Sequence, residues 1–264
     1  MFLWSRDLVL EDKTMTDQLL VKMENITKTY GHIEALKDVN FHLMSNEIVG
    51  IVGDNAAGKS TLIKILSGAI KHDSGKIFID GQEQKFLNPA LSRKLGIETV
   101  YQTLALVDNL PIYTNIFLGR LLKKRIFGIF PILNKNLMRK ESWKLLHLMA
   151  INFDSVSRRV ADLSGGQRQA VAIARSIFFN PRVLILDEPT AGLAVKEVKN
   201  IEDIVLNLKS KGISTILISH RIESIFRTTD RIVVLRSGTT VMDEKTSNLS
   251  SNIVVEKMFG IKSN

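Results

Sequence analysis

The segment that most constrains this chain is Gly53–Ser60, which reads GDNAAGKS and fits the pattern G-x-x-x-x-G-K-[ST]. The apolar run Ile48–Val52 (IVGIV) precedes it, as expected of a strand buried on both faces, and a helical pattern follows from about Lys59 to Leu66. A strand, a glycine-bearing loop and a helix in that order form a seat for phosphate. Successive backbone N–H groups make a concave nest, and the helix N-terminus adds the positive end of its dipole. Asp54, Asn55, Ala56 and Ala57 fill the loop between Gly53 and Gly58. Lys59 is placed to set its ammonium against the β- and γ-phosphates, Ser60 to ligate Mg²⁺ through its hydroxyl, and Thr61 to bond the α-phosphate. The rest of the chain is ordinary globular material, 45% hydrophobic and 24% charged, which excludes a wholly disordered polypeptide. Cysteine is absent, which excludes disulfides, thiolate zinc sites and a cysteine nucleophile.

A phosphate loop needs a carboxylate on its metal side. Val183–Leu186 (VLIL) reads as a second buried strand and ends in Asp187 and Glu188. In a parallel sheet Asp187 is expected beside the loop at the carboxyl edge, with Glu188 able to polarise an attacking water as general base. Further strands are predicted at Val39–Leu43, Lys76–Ile79, Ile97–Tyr101, Ser214–Ser219 and Arg231–Leu235, and a helix at Val195–Lys209. From about Leu104 to Gln169 the β-branched runs fade and helical spacing takes over, as at Trp143, Leu146 and Leu148. The expected fold is an α/β core with a helical insert.

Leu163–Gln167 reads LSGGQ and is followed by RQAVAIARS; Ser164 by itself is a good helix N-cap. The phosphate loop lies upstream and VLILDEPT downstream. At these residues, from about Leu20 to its end, the chain resembles the ATPase subunits of ABC transporters. The resemblance implies a P-loop NTPase fold with a mainly parallel sheet, an N-terminal antiparallel β subdomain and an α-helical insert. That domain would span residues 19–264, with the insert near 104–168, after an N-terminal arm at 1–18. It implies ATP and Mg²⁺ as ligands. Tyr30 takes the place of the ring that stacks on adenine, and Gln102, in VYQT, that of the glutamine touching Mg²⁺ and the lytic water. His220, in ILISH, matches the histidine that contacts the γ-phosphate. Glu188, His220, Gln102 and Lys59 become the catalytic set, and Ser60, Gln102 and Asp187 the metal ligands. The signature Leu163, Ser164, Gly165, Gly166 and Gln167 would serve the ATP held by a partner subunit, so that two nucleotides join a dimer. Two positions depart from the pattern. Ala56 stands where many members have glycine, and costs on the order of 1–2 kcal/mol only if its φ is positive. Ala194 stands where many have an aspartate that helps couple the two sites.

Between the motifs, VYQTLALVDNLPIYTNIFLGR (Val100–Arg120) and EPTAGLAVKE (Glu188–Glu197) resemble the importers of simple sugars, in their single-domain form. That implies a second ATPase subunit, most simply another copy, two transmembrane permease subunits, and indirectly an extracytoplasmic sugar-binding protein. The chain would then sit on the cytoplasmic face of the membrane, since no apolar run reaches the roughly 18 residues a spanning helix needs. Phe117, Leu118, Ile126, Phe127, Ile129 and Phe130 are candidates for contact with the permeases, and equally for the insert's own core. Alternative readings are a soluble ABC ATPase acting on nucleic acid or ribosomes, and an ATPase moving a non-sugar substrate in or out. The net charge of +9 and a pI near 9.7 invite the first of these. Yet Arg120–Lys144 holds eight Lys and Arg against Glu141 alone, a net +7 that leaves +2 elsewhere, so no nucleic-acid partner is expected.

Overall fold

The computed structural model describes residues 18–126 and 129–261. The expected N-terminal arm lies outside them except for Gln18, as do Phe127 and the side chain of Ile126. Two long antiparallel strands open the chain, β1 (Leu19–Tyr30) and β2 (Ile33–Met44). Sequence pattern found only part of β2. In β1 the buried residues run Leu20, Val21, Met23, Ile26, because register shifts between Leu19 and Val21 and between Met23 and Ile26 break the alternation that marks a strand. β3 (Ile48–Val52) leads through the phosphate loop into α1 (Lys59–Leu66). β4 (Ser74–Ile79) and β5 (Gln82–Glu83) then complete an antiparallel sheet in the order β2-β1-β4-β5.

The chain next forms α2 (Pro89–Lys94) and β6 (Ile97–Val100). The insert contains α3 (Ile112–Ile116), β7 (Lys123–Ile126), β8 (Phe130–Leu133) and α4 (Lys135–Leu148), and α5 (Gly165–Ile177) follows it. Strand and helix alternate thereafter: β9 (Val183–Asp187), α6 (Val195–Ser210), β10 (Ser214–Ile218), α7 (Ile222–Thr228) and β11 (Arg231–Arg236). β12 (Thr239–Lys245) and α8 (Ser251–Phe259) close the fold. The large sheet has the order β12-β11-β3-β10-β9-β6, and all its neighbours are parallel except β12 against β11.

That sheet divides two cores. Ile48 and Val52 of β3 and Leu184 and Leu186 of β9 face one core, shared with α5, α6 and the insert. Val49, Ile51, Val183 and Ile185 face the other, shared with α1 and the antiparallel sheet. A strand covered on both sides needs apolar residues at every position, which is why these runs show no alternation. Arg231 ties the two sheets together: its guanidinium donates to the Glu47 carboxylate (Nε to Oε1, 2.7 Å), to the His42 carbonyl (2.7 Å) and to Asp243.

The insert is not helical throughout. β7 and β8 form a two-stranded antiparallel hairpin between α3 and α4. Pro131 lacks the N–H that a helix interior requires but is tolerated on an edge strand, and the β-branched Ile126 and Ile132 favour extended backbone. Asn134 restarts the helix, its Oδ1 accepting from the Leu137 N–H at 3.2 Å. In α4 the buried side is Met138, Ser142, Leu145 and Leu146, while Trp143 is exposed, contrary to the expected stripe. The apolar candidates for partner contact also separate. Phe117 is core, packed edge-on against Phe178 with ring centroids 4.5 Å apart, Leu118 is half-buried, and Ile129 and Phe130 are exposed. Among the described residues no helix is long and apolar enough to cross a membrane.

Candidate active site

Parallel strands bring their carboxyl ends to one edge of a sheet. Across β3, β10, β9 and β6 those ends are in register: Ile51 lies opposite Ile218, Ile218 opposite Asp187, and Leu186 opposite Val100. The chain just beyond them carries Gly53 and the phosphate loop, then His220, Glu188 and Gln102. Four motifs far apart in sequence thus emerge side by side. β10 lies between β9 and β3, yet Asp187 and Lys59 of the loop are near enough for their charges to act on each other.

Backbone crowding fixes the loop's glycines. A Cβ on Gly53 (φ +154°) would come within 2.2 Å of the Leu235 carbonyl oxygen, and one on Gly58 (φ +105°) within 2.7 Å of the Ala35 carbonyl oxygen. Ala56 has φ +63°, which settles the question its side chain raised: it occupies the left-handed region. Asp54, Asn55 and Ala56 are exposed, while Ala57 is buried. Gly58 caps α1, whose first turn presents Ser60 and Thr61. Lys59 is buried, and its Nζ donates to the carbonyls of Gly53 (2.7 Å) and Asp54 (2.9 Å). Burial lowers its pKa, against the opposing pull of Glu188, Asp54 and Asp187.

Glu188 is the most perturbed group at this edge. It is buried and has φ +52°, a conformation costly for a residue with a Cβ. Burial pushes its carboxyl up to about 7, against the lowering contact with His220 and the charge of Lys59. Its Oε1 accepts no well-directed hydrogen bond, although His220 Nδ1 stands 3.0 Å away. Burial also raises the pKa of Asp187, opposed by Lys64 and Lys59. His220 is largely exposed; partial desolvation and then Lys59 lower its pKa. Gln102 is exposed in the bend after β6. Two residues that sequence reasoning missed hold the segment that follows it. Arg175 of α5 donates to the carbonyls of Leu104 (2.6 Å) and Ala105 (2.8 Å). Buried Asn115 accepts from the Val107 N–H and donates to three carbonyls, those of Val107, Leu110 and Pro111. Tyr30 closes β1 with its ring half in solvent and the Lys28 ammonium 5.6 Å from its centroid.

The signature segment lies elsewhere. Leu163 is buried, Ser164 caps α5 by accepting from the Gln167 N–H (3.3 Å), and Gln167 Oε1 accepts from the Ser164 N–H (3.1 Å). Among the described residues no hydrogen bond or ion pair joins it to residues 53–61. Its neighbour is the start of α6. A Cβ on Gly165 would meet Leu193 at 2.9 Å, and one on Gly166 would meet Glu197 at 2.9 Å. Glu197 accepts from the Gly166 N–H with Oε1 (3.1 Å) and from the Ala194 N–H with Oε2 (3.2 Å). Hydrogen bonds from Ser164, Gly166 and Ala194 hold its pKa low. One carboxylate therefore caps two helices, and Ala194 supplies no side-chain acceptor of its own. The spacing of Ala194 and Glu197 is that of a helix cap at position N3, the signal that could have revealed it.

A phosphate loop, a buried strand-end carboxylate and a histidine on one parallel edge define a P-loop nucleotide hydrolase. Residues 36–191 match the ABC transporter family. The chain is 41% identical over 239 residues to the xylose/arabinose import ATP-binding protein XylG of Sulfolobus acidocaldarius, covering 90% of this chain and 93% of that one. It is 40% identical over 227 residues to the fructose import ATP-binding protein FrcA of Rhizobium meliloti, covering 85% and 87%. Among solved structures it is similar to the ATP-binding cassette MJ1267 in its ADP conformation, with a TM-score of 0.80, 27% identity and coverage of 92% and 99%. It is also similar to the dimeric post-hydrolysis cassette MJ0796 bound to ADP and Pi, with a TM-score of 0.72, 30% identity and coverage of 86% and 99%. The chain belongs to the ABC transporter family, as one of its ATP-binding and ATP-hydrolysing cassettes.

Proposed function

We propose that this cassette powers the import of a simple sugar, as one half of a homodimer on the cytoplasmic face of a membrane. Two permease subunits would carry the sugar across, and an extracytoplasmic binding protein would deliver it. Support comes from the sugars named for both relatives and from the dimeric state of one structural neighbour. No nucleic acid enters this reading.

Adenine stacks on Tyr30 and the phosphates lie along residues 53–61. Lys59 exchanges two neutral carbonyl acceptors for anionic phosphate oxygens, a charge-assisted and stronger contact. The Ser60 hydroxyl, the Gln102 amide oxygen and the Asp187 carboxylate are hard oxygen donors of the kind Mg²⁺ takes, and that ion would offset charge on the β- and γ-phosphate oxygens. Glu188 takes a proton from water as its oxygen bonds to the γ-phosphorus, and the bond from that phosphorus to the bridging oxygen breaks, leaving ADP. His220 steadies the carboxylate and faces the γ-phosphate. The partner's copies of Ser164, Gly165 and Gly166 close over the same phosphate, with Leu163 and Gln167 holding their backbone. Loss of the γ-phosphate removes these contacts and the dimer opens.

The observation that carries this reading is Glu188, buried at a strand end beside the loop, its carboxyl pushed up to about 7 and an imidazole 3.0 Å away. Glu188→Gln should stall turnover and leave an ATP-bound dimer detectable by size-exclusion chromatography. Undiminished turnover would remove Glu188 as the base. For the substrate, deleting the gene should abolish uptake of one labelled pentose or hexose, and intact uptake of all such sugars would overturn the sugar assignment.

A further inference from the structure

The insert's hairpin is absorbed by none of these roles. Among the described residues β7 and β8 pair only with each other, as a separate two-stranded sheet, an arrangement that is marginal in water by itself. Ile129 is 73% exposed and Phe130 64%, and Ile132 and Leu133 are exposed as well. Cations stand across the ladder from them: Lys124 opposite Ile132, Lys123 opposite Leu133, Arg125 opposite Pro131. Between Asp108 and Glu141 the sequence contains no acidic residue. Arg120 and Arg139 stack on the rings of Phe179 and Tyr113. Lys123, Lys124 and Arg125 form no ion pair among the described residues.

We propose that this hairpin is a membrane-surface anchor, with Ile129, Phe130, Ile132 and Leu133 seated at headgroup depth and Lys123, Lys124 and Arg125 on anionic lipid phosphates. A merely solvated face accounts for the cations but not for the exposed apolar residues among them. A permease loop is the other occupant to weigh. Cytoplasmic loops of membrane-spanning proteins carry an excess of Lys and Arg, so this hairpin would meet like charge there. The leaflet surface is negative and attracts basic segments. Apolar side chains flanked by Lys and Arg suit that interface. The inference rests on the proposed place of the chain at a membrane, but not on its turnover of ATP.

The test is flotation of the full-length chain with vesicles of phosphatidylcholine alone and of phosphatidylcholine mixed with phosphatidylglycerol. Binding is expected only to the anionic vesicles, at low salt, with release as screening increases. Each cation near such a surface contributes about fivefold to partitioning, so Lys123→Glu, Lys124→Glu and Arg125→Glu together should lower it by roughly 100-fold or more. Phe130→Ser with Ile132→Ser should lower it by roughly tenfold. Both variants should hydrolyse ATP at the wild-type rate, a readout that separates failure of the anchor from misfolding and from failure of the ATPase assignment. No flotation of the wild type with anionic vesicles at low salt would overturn the proposal, as would flotation that both variants retain. Binding that appears only when permease subunits are reconstituted in neutral vesicles, and is lost in the variants, would assign the hairpin to protein and also overturn it.

Discussion

At the carboxyl edge of the large sheet, Gly53 and Gly58 have backbone carbonyls where a Cβ would go, whereas Gly119, just before the β7–β8 hairpin, has nothing within 4 Å. All three have positive φ. The same residue is thus held by two constraints in one region and by one in the other. The contrast extends to side chains. Lys59 and Glu188 are buried and face specific partners, while the described hairpin side chains lie in solvent. Chemistry at the edge depends on groups whose position and protonation are set by their surroundings, and a surface that meets a fluid partner needs only composition. Substitutions should therefore produce large, site-specific effects at the edge and small, summed effects at the hairpin.

Gly53→Ala should have the largest effect. The clash at 2.2 Å is with the main chain of β11, so no rotamer change relieves it. Destabilisation of roughly 3 kcal/mol or more is expected, together with loss of nucleotide binding. Gly119→Ala meets only the positive-φ penalty, about 1 kcal/mol. Equal losses in denaturant titrations would erase the contrast between the regions. Glu188→Gln comes next, and its effect on stability has a sign opposite to its effect on turnover. The carboxyl titrates near 7 in the folded chain and near 4.5 when unfolded, so between these values the folded state binds more protons and stability falls as pH rises. Above pH 7 the glutamine variant should be the more stable, by something on the order of 3 kcal/mol, and below about pH 4.5 the difference should vanish. Because a general base must be ionised, wild-type turnover should fall as pH drops through about 7. A flat melting-temperature difference across pH would refute the burial argument.

The edge was legible in sequence because its geometry admits few residue types. Gly53, Gly58, Lys59, Ser60, Asp187, Glu188 and His220 could be placed by motif, and β3, β9 and β10 by their continuous apolar runs. Ala56 shows the limit. Sequence named the position as anomalous, but only the backbone shows its φ of +63°. The insert was harder because hairpin, helix and loop draw there on the same Lys, Ile and Leu, and Pro111, Gly119, Gly128 and Pro131 punctuate it without saying which element each one ends. β1 was lost to its bulges, and Glu197 to the fact that its second client, Gly166, lies across a tertiary contact.

Glu197 stands between the extremes, half-buried and with its carboxylate on two backbone N–H groups. Glu197→Ala should destabilise the fold by more than the loss of a single cap, and Glu197→Gln by less, measured as a shift in denaturant midpoint. If the signature acts across the dimer, the alanine variant should also weaken ATP-dependent dimerisation of a Glu188→Gln background. An unchanged dimer with lowered stability would confine Glu197 to capping. Ala56→Gly should gain about 1 kcal/mol at most, as relief of left-handed strain is partly offset by a looser unfolded chain. Nucleotide affinity, measured by calorimetry, should stay the same, because alanine and glycine present the same backbone N–H to the phosphates.

The smallest effect is expected at the hairpin, and it tests the comparison most severely. Ile132→Thr keeps the β-branch and replaces an ethyl group by a hydroxyl on a side chain already exposed, opposite the cation of Lys124. No cavity is opened and no buried group loses a partner, so the change should lie within about 0.5 kcal/mol of the parent chain. ATP turnover should match as well, since among the described residues β7 and β8 form a sheet of their own that is not hydrogen-bonded to the large sheet. A loss of more than about 1 kcal/mol would mean that the hairpin is stabilised by contacts of its own exposed face. It would then have to be grouped with the edge as a region whose individual residues matter, and the division between a site held by its backbone and a surface held by its composition would not survive.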